Sequence, residues 1–155
     1  MPLKAQDKAP DFSLQNSNGE EIVLSEQLAE GSVVLLFFPL AFTSVCTDEM
    51  CTVRDNMKLY ESLNTQVFGI SVDSFFTLKE FKKAHNINFT LLSDFNREVT
   101  DTYGTLYEDF FGMNGVSKRA AFVINREGTI LYEEILEDAG NLPDFKAIQQ
   151  ALRKG

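Results

Sequence analysis

The stretch "SVVLLFFP" (32–39) limits this chain more than any other. Its apolar run is continuous, and its length suits a buried central strand better than a helix. Pro39 closes it, because proline cannot donate to a sheet ladder. "VFGISVD" (67–73) reads as a second buried strand and "FTLLSD" (89–94) as a third. Between the first two, Cys46 to about Asn64 reads as a helix, with Met50, Val53, Met57 and Leu59/Tyr60 near helical spacing. "SFFTLKEFKKAHN" (74–86) predicts an amphipathic helix anchored by Phe76, Leu78 and Phe81. "NREVTDTYG" (96–104) predicts a short helix closed by Gly104. The N-terminal "DFSLQ" and "EEIVL" alternate around "NSNG", as in a hairpin. "RAAFVINREGTILYEEI" (119–135) predicts a second hairpin, turning near Glu127 and Gly128. "NLPDFKAIQQALRK" (141–154) predicts a closing helix with Pro143 at its start.

Strands alternating with helices in this order predict an α/β fold with a mixed central sheet flanked by helices. The order is compatible with a thioredoxin-like core carrying an N-terminal β-hairpin extension. With 155 residues and no linker or repeat, the expectation is a single domain over residues 1–155. Apolar residues make up 44 % of the chain, which excludes disorder as the governing state. A net charge of −9 repels phosphate backbones and anionic lipid, so neither nucleic acid nor a membrane is an expected partner. The N-terminus has no signal-peptide pattern, and the longest apolar run is too short to span a bilayer. A cytoplasmic location is the default expectation, and two cysteines there do not suggest a permanent staple.

Those two cysteines, Cys46 and Cys51, lie in "PLAFTSVCTDEMC" (39–51), just beyond the central strand. Cys46 falls where a loop becomes a helix. The unpaired amides and macrodipole of a first helical turn favour an anion such as a thiolate there. From position alone, a reactive thiol and a buried structural cysteine stand level. Two thiols with one histidine, His85, on a different predicted segment make a poor zinc site, and no metal is expected. The same separation disfavours a Cys–His hydrolase. The C-x4-C spacing disfavours a C-x-x-C exchange protein.

Pro39, Thr43 and Cys46 form P-x-x-x-T-x-x-C. This pattern resembles the peroxiredoxins, thiol peroxidases of the AhpC/TSA superfamily on a thioredoxin-like fold. "KAPDFSL", "VFGISVDS" and "KRAAFVINREGTI" are similar to further family blocks, in the right order over nearly the whole chain. The resemblance implies peroxide reduction at Cys46 through a sulfenic acid, without a cofactor. By the same resemblance, Thr43, the amides of Val45 and Cys46, and Arg119 would hold the peroxide. Pro39 would shield the thiolate, and Glu49 would orient the arginine. Taken alone, Pro39 is also a strand stop, Thr43 a capping hydroxyl, Arg119 a surface residue and Glu49 a helix-dipole partner. Arg54 reads as a structural salt-bridging residue.

In an intact helix, Cys46 and Cys51 would have Cα atoms roughly 8.6 Å apart. A disulfide needs about 7 Å or less, so bridging requires the helix start to unwind. The C-x4-C spacing resembles the bacterioferritin-comigratory (Q-type) group, where the second cysteine resolves the first. The "PLAFTSVC" loop looks more like the alkyl hydroperoxide reductase E type, many of which work with one cysteine. The resemblance therefore implies either a Cys46–Cys51 disulfide recycled by thioredoxin or a glutaredoxin-like dithiol, or a one-cysteine peroxidase resolved by an external thiol. A peroxide sensor passing oxidation to a partner is a third reading. A homodimer through the loops near the site is also implied. Phe42, Phe110 and Phe111 are expected to make the mouth of the site apolar and to admit organic hydroperoxides as well as hydrogen peroxide, with the "GMNG" loop (112–115) lining that mouth.

Overall fold

The computed structural model describes residues 3–138 and 140–154. Seven strands form one sheet in the order β2-β1-β5-β4-β3-β6-β7. They are β1 (Ser13–Asn16), β2 (Glu21–Val23), β3 (Ser32–Phe37), β4 (Thr65–Ser71), β5 (Thr90–Ser93), β6 (Arg119–Ile124) and β7 (Ile130–Leu136). The centre, β5-β4-β3, is parallel, while β1 joins β5 and β6 joins β3 antiparallel. The sheet is thus mixed, as the order of elements predicts, and the N-terminal hairpin extends its edge.

Alternate residues of β3 explain its unbroken apolar run. Val34 and Leu36 face one core, shared with α2 (Ser44–Asp55), α3 (Met57–Ser62), α4 (Phe75–Ala84) and α6 (Phe145–Lys154). Val33, Leu35 and Phe37 face the other, under α1 (Leu24–Leu28) and α5 (Glu98–Thr102). A strand buried on both faces has no position at which a polar residue is free. Gly69 on β4 leaves room for Leu91 of β5 and Met50 of α2. A Cβ there would lie 2.8 Å from Leu91 Cδ2 and 3.2 Å from Met50 Sδ.

Three expectations need correction, and one short helix is added. The long helix from Cys46 to Asn64 is two helices, broken at Asn56, although its buried face (Met50, Val53, Met57, Tyr60) runs on across the break. A five-residue helix, α1, follows β2 directly and had no separate signal beside the hairpin. Phe76 is exposed on α4 and stacks on Phe75, leaving Leu78 and Phe81 as the anchors. Pro143 precedes the first turn of α6. Asp144 starts that turn, accepting from the amides of Ala147 through Oδ1 (3.1 Å) and Ile148 through its carbonyl (3.1 Å).

Candidate active site

The loop from Pro39 to Thr43 connects β3 to α2 and carries the sequence-predicted site to the carboxyl end of the parallel strands. Phe38 N still bonds Ile70 O (2.9 Å), and Ala41 N bonds the carboxylate of Asp73 (Oδ2, 2.8 Å). The same oxygen accepts from Ser71 Oγ (2.7 Å), and the Asp73 carbonyl accepts from Ser93 Oγ (2.6 Å). Asp73 therefore ties the loop to the ends of β4 and β5. Sequence reading missed this residue. Its only signal was a carboxylate directly after a buried strand, which is too common to single out.

Thr43 is the N-cap of α2, with extended backbone, but its side chain makes no cap bond. Its Oγ1 instead donates back to Leu40 O (2.8 Å). The hydroxyl proton is committed there, so what Thr43 offers outward is lone pairs. Thr47 N, bonded to Thr43 O (2.9 Å), is the amide that closes the first turn. Helix geometry leaves the amides of Ser44, Val45 and Cys46 without intrahelical partners.

Cys46 is 1 % exposed, in the first turn of α2. Arg119, the first residue of β6, is equally buried. Its Nη2 lies 3.3 Å from Cys46 Sγ and its Nη1 donates to Glu49 Oε1 at 2.6 Å. Cys46 and Glu49, three apart on the helix, thus present their side chains to one guanidinium. β6 brings that guanidinium there because it pairs with β3, the strand that feeds the loop.

Glu49 is fully buried, and its Oε2 has no hydrogen-bond partner among the described residues. Burial pushes its carboxyl up to about 7 against the pull of Arg119, with Glu134 on β7 adding a further upward push. Arg119 is held above its usual value by Glu49 and Cys46 against its own burial. The two partners point opposite ways: Arg119 is better off for the pairing, while Glu49 is worse off for its burial. The 2.6 Å contact has a charge-assisted length, so we take the pair as ionised above neutral pH and Arg119 as the member that stays charged.

The linkage has a definite sign. In the unfolded chain this carboxyl titrates near 4.5 and in the fold near 7. The folded state therefore holds the proton more tightly. Its contribution to stability is complete below about pH 4.5 and is lost as pH rises through about 7. Denaturation at pH 5 and pH 8 is expected to show wild type losing up to about 3 kcal/mol that Glu49→Gln keeps. Parallel pH dependences for the two proteins would refute the shift.

A cleft of about 900 Å³ opens above Cys46. Pro39, Thr43, Val45 and Arg119 line its floor, and Tyr107, Phe110, Phe111 and Met113 one wall. Phe42 is absent from it, against expectation. Its backbone is left-handed (φ 67°), and its ring turns away onto Phe81 (5.1 Å) and His85 (6.3 Å). The apolar mouth belongs to Phe110, Phe111 and Met113.

Cys51 is half-buried on the same continuous helix as Cys46, and both thiols are free. Arg54, three residues on, bonds His85 O through Nη1 (2.6 Å) and Asp55 through Nε (3.0 Å). It is a structural residue, tying α2 to the end of α4. Among the described residues no cluster of three or more His, Cys, Asp or Glu is placed to hold a metal ion. No described helix is long and apolar enough to cross a membrane.

A sulfur with a guanidinium beside it, in a cleft shared with unpartnered helix amides and the Thr43 hydroxyl, is equipped to attack an electrophile and stabilise the charge displaced. Comparison with known proteins names the class. The AhpC/TSA family pattern matches residues 5–133. Peroxiredoxin Bcp of Escherichia coli (strain K12) is 37 % identical over 140 residues, covering 88 % of this chain and 87 % of that protein. A chloroplastic 2-cysteine peroxiredoxin of Chattonella marina var. antiqua is 34 % identical over 163 residues, covering 99 % of this chain and 79 % of its own length. The chain spans 58 % of the chloroplastic 2-Cys peroxiredoxin BAS1 of Spinacia oleracea. The crystal structure of peroxidoxin BcpB from Mycobacterium tuberculosis superposes with a TM-score of 0.88 at 29 % identity, over 98 % of this chain and 97 % of that one. The chain belongs to the AhpC/TSA family, the peroxiredoxins, which are thiol peroxidases.

Proposed function

We propose that this chain, acting as one domain over residues 1–155, is a thiol-dependent peroxidase whose nucleophile is Cys46. The observation that carries the assignment is the 3.3 Å approach of Arg119 Nη2 to Cys46 Sγ on the floor of an open cleft. The Cys46 thiolate attacks the terminal oxygen of R–O–O–H. An S–O bond forms, the O–O bond breaks, and the electron pair leaves on RO⁻, which takes up a proton to give ROH. Cysteine is oxidised to Cys46–SOH and the peroxide is reduced. The substrate's own O–H donates to the lone pairs of Thr43, while Arg119 and the amides of Val45 and Cys46 meet the charge that moves from sulfur to oxygen. Pro39 keeps water from the sulfur, and Glu49 holds the guanidinium in place.

Resolution is assigned to Cys51. Cys46–SOH and the Cys51 thiol condense to a disulfide with loss of water. A dithiol protein, thioredoxin or a glutaredoxin-like partner, then returns both thiols by exchange. On an intact α2 the two Cα atoms stand about 8.6 Å apart by helix geometry, beyond the about 7 Å a disulfide allows. The first turn must therefore open, and its uncapped start supports that. The other end of α2 is fixed: Arg54 bonds His85 O, and Asn88 Nδ2 donates to Arg54 O (3.2 Å). Cys46 is thus the thiol that travels. A homodimer and a cytoplasmic location belong to the same proposal.

Intact mass after one equivalent of peroxide tests the resolving step. A species about 2 Da lighter than the reduced protein is expected, the two hydrogens lost on bridging. Sulfenic acid on Cys46 with Cys51 still free would instead assign resolution to an external thiol. Sustained peroxide consumption with a thioredoxin system is expected for an enzyme; a single stoichiometric burst would favour the sensor reading.

A further inference from the structure

The cleft over Cys46 has a chemical bias that peroxide reduction alone does not require. Its wall is aromatic and continuous: Tyr107 stacks on Phe110 (5.0 Å between centroids), and Phe110 meets Phe111 edge-on (4.8 Å). Phe110 and Met113 exchange both backbone hydrogen bonds (2.9 Å each) around a two-residue turn. Phe111 and Gly112 hold positive φ in that turn (53° and 85°). The turn presents Phe111 89 % exposed at the cleft edge, an orientation an aromatic residue rarely adopts.

Around this apolar wall the rim is acidic. Asp109, Glu137 and Asp138 all line the cleft. Their positions are fixed by local bonds. Asp109 Oδ1 accepts from Gly112 N (3.1 Å) and Asp138 Oδ1 from Gly140 N (2.8 Å). Glu137 is offset by Lys118 (3.0 Å), but Asp109 and Asp138 form no ion pair among the described residues. The cation within the cleft, Arg119, faces Glu49 and Cys46 at its floor. A ligand entering past the rim therefore meets apolar surface and negative charge. Low-dielectric walls focus such a field, and a like-charged ligand is repelled.

Resting on the peroxidase reading, we infer that the rim makes this site selective for neutral organic hydroperoxides with an apolar alkyl or aryl group, and against hydroperoxides that carry a carboxylate. The apolar group lies along Tyr107, Phe110 and Met113, with the O–O group directed at Cys46. A carboxylate on the tail would be held against Asp109 and Asp138. Hydrogen peroxide, without a tail, does not report on the rim.

A matched pair tests this: cumene hydroperoxide bearing a para carboxylate, and the methyl ester of the same compound. They share the reacting group and nearly the same bulk. Second-order rate constants for oxidation of the reduced protein are expected to favour the ester by about tenfold at low salt, falling to about threefold at high salt as the rim charge is screened. Asp109→Asn/Asp138→Asn should narrow the low-salt ratio by about threefold. Rates within twofold of each other at low salt would overturn the inference, as would a ratio indifferent to salt. The net charge of −9 gives some salt dependence of its own, so where the double variant does not fold the single variants Asp109→Asn and Asp138→Asn decide, each expected to narrow the low-salt ratio. Hydrogen peroxide keeps the two readings separate. If it oxidises Cys46 while the matched pair shows no bias, only the rim assignment fails; if it does not oxidise Cys46, the peroxidase reading fails.

Discussion

Cys46→Ser is expected to lose peroxide turnover by more than about 10⁴-fold, the scale on which an enzyme loses rate when its nucleophile is removed. The change is nearly isosteric at a site 1 % exposed, and Arg119 Nη2 can still donate to a serine oxygen. The fold should survive, with a stability cost of about 1 kcal/mol. What disappears is a polarisable, nucleophilic sulfur. A serine hydroxyl is not ionised near neutral pH, and its oxygen does not displace oxygen from a peroxide. Thr43, Arg119 and the helix amides remain in place, so binding persists without chemistry. Cys51→Ser separates the two thiols. It should still react once with peroxide at a rate close to wild type and recycle with a small monothiol, but fail with thioredoxin. Peroxide consumption followed with each reductant, beside circular dichroism for folding, checks both variants. Catalytic consumption by Cys46→Ser would remove Cys46 from the mechanism.

The loop and its cysteine were legible because their pattern is local. Pro39, Thr43 and Cys46 fall within eight residues, and the backbone between them is set by a strand end and a helix start. Arg119 was legible only through the resemblance of its flanking block. A lone arginine at a strand start carries no sign that 73 positions of chain bring it against Cys46. Asp73 was not legible, since its role exists only once β4 and β5 end beneath the loop. Phe42 was misread for a related reason. Proximity in sequence put it at the mouth, but a left-handed backbone at φ 67° turned its ring onto α4. The break at Asn56 was hidden because apolar spacing continues across it, as burial on one face does not require one unbroken helix. The acidic rim was invisible to periodicity as well, because Asp109 and Asp138 belong to loops 29 residues apart.

Arg119→Met is expected to cost both stability and catalysis, with the two losses separable. At pH 8 it removes the pull of Arg119 on the fully buried Glu49, so that carboxyl must either keep its charge without a partner or take up a proton. Removing one member of such a pair costs about 3–5 kcal/mol. At pH 5 the cost should be much smaller. Glu49 holds its proton there, since burial has already pushed its carboxyl up to about 7, and a neutral acid has less need of the cation. Glu49→Gln/Arg119→Met should recover most of the stability at pH 8, because the buried charge goes with its partner. It should not recover activity. Arg119 Nη2 is the donor at Cys46 Sγ, and losing one preorganised donor to a developing charge costs about 10²–10³ in rate. Urea denaturation at the two pH values, beside the rate of Cys46 oxidation by hydrogen peroxide, gives four numbers for each variant. Recovery of rate together with stability in the double variant would make Arg119 merely a counter-ion for Glu49. Stability regained with the rate still low would assign the guanidinium to the reacting sulfur and leave Glu49 as the residue that positions it.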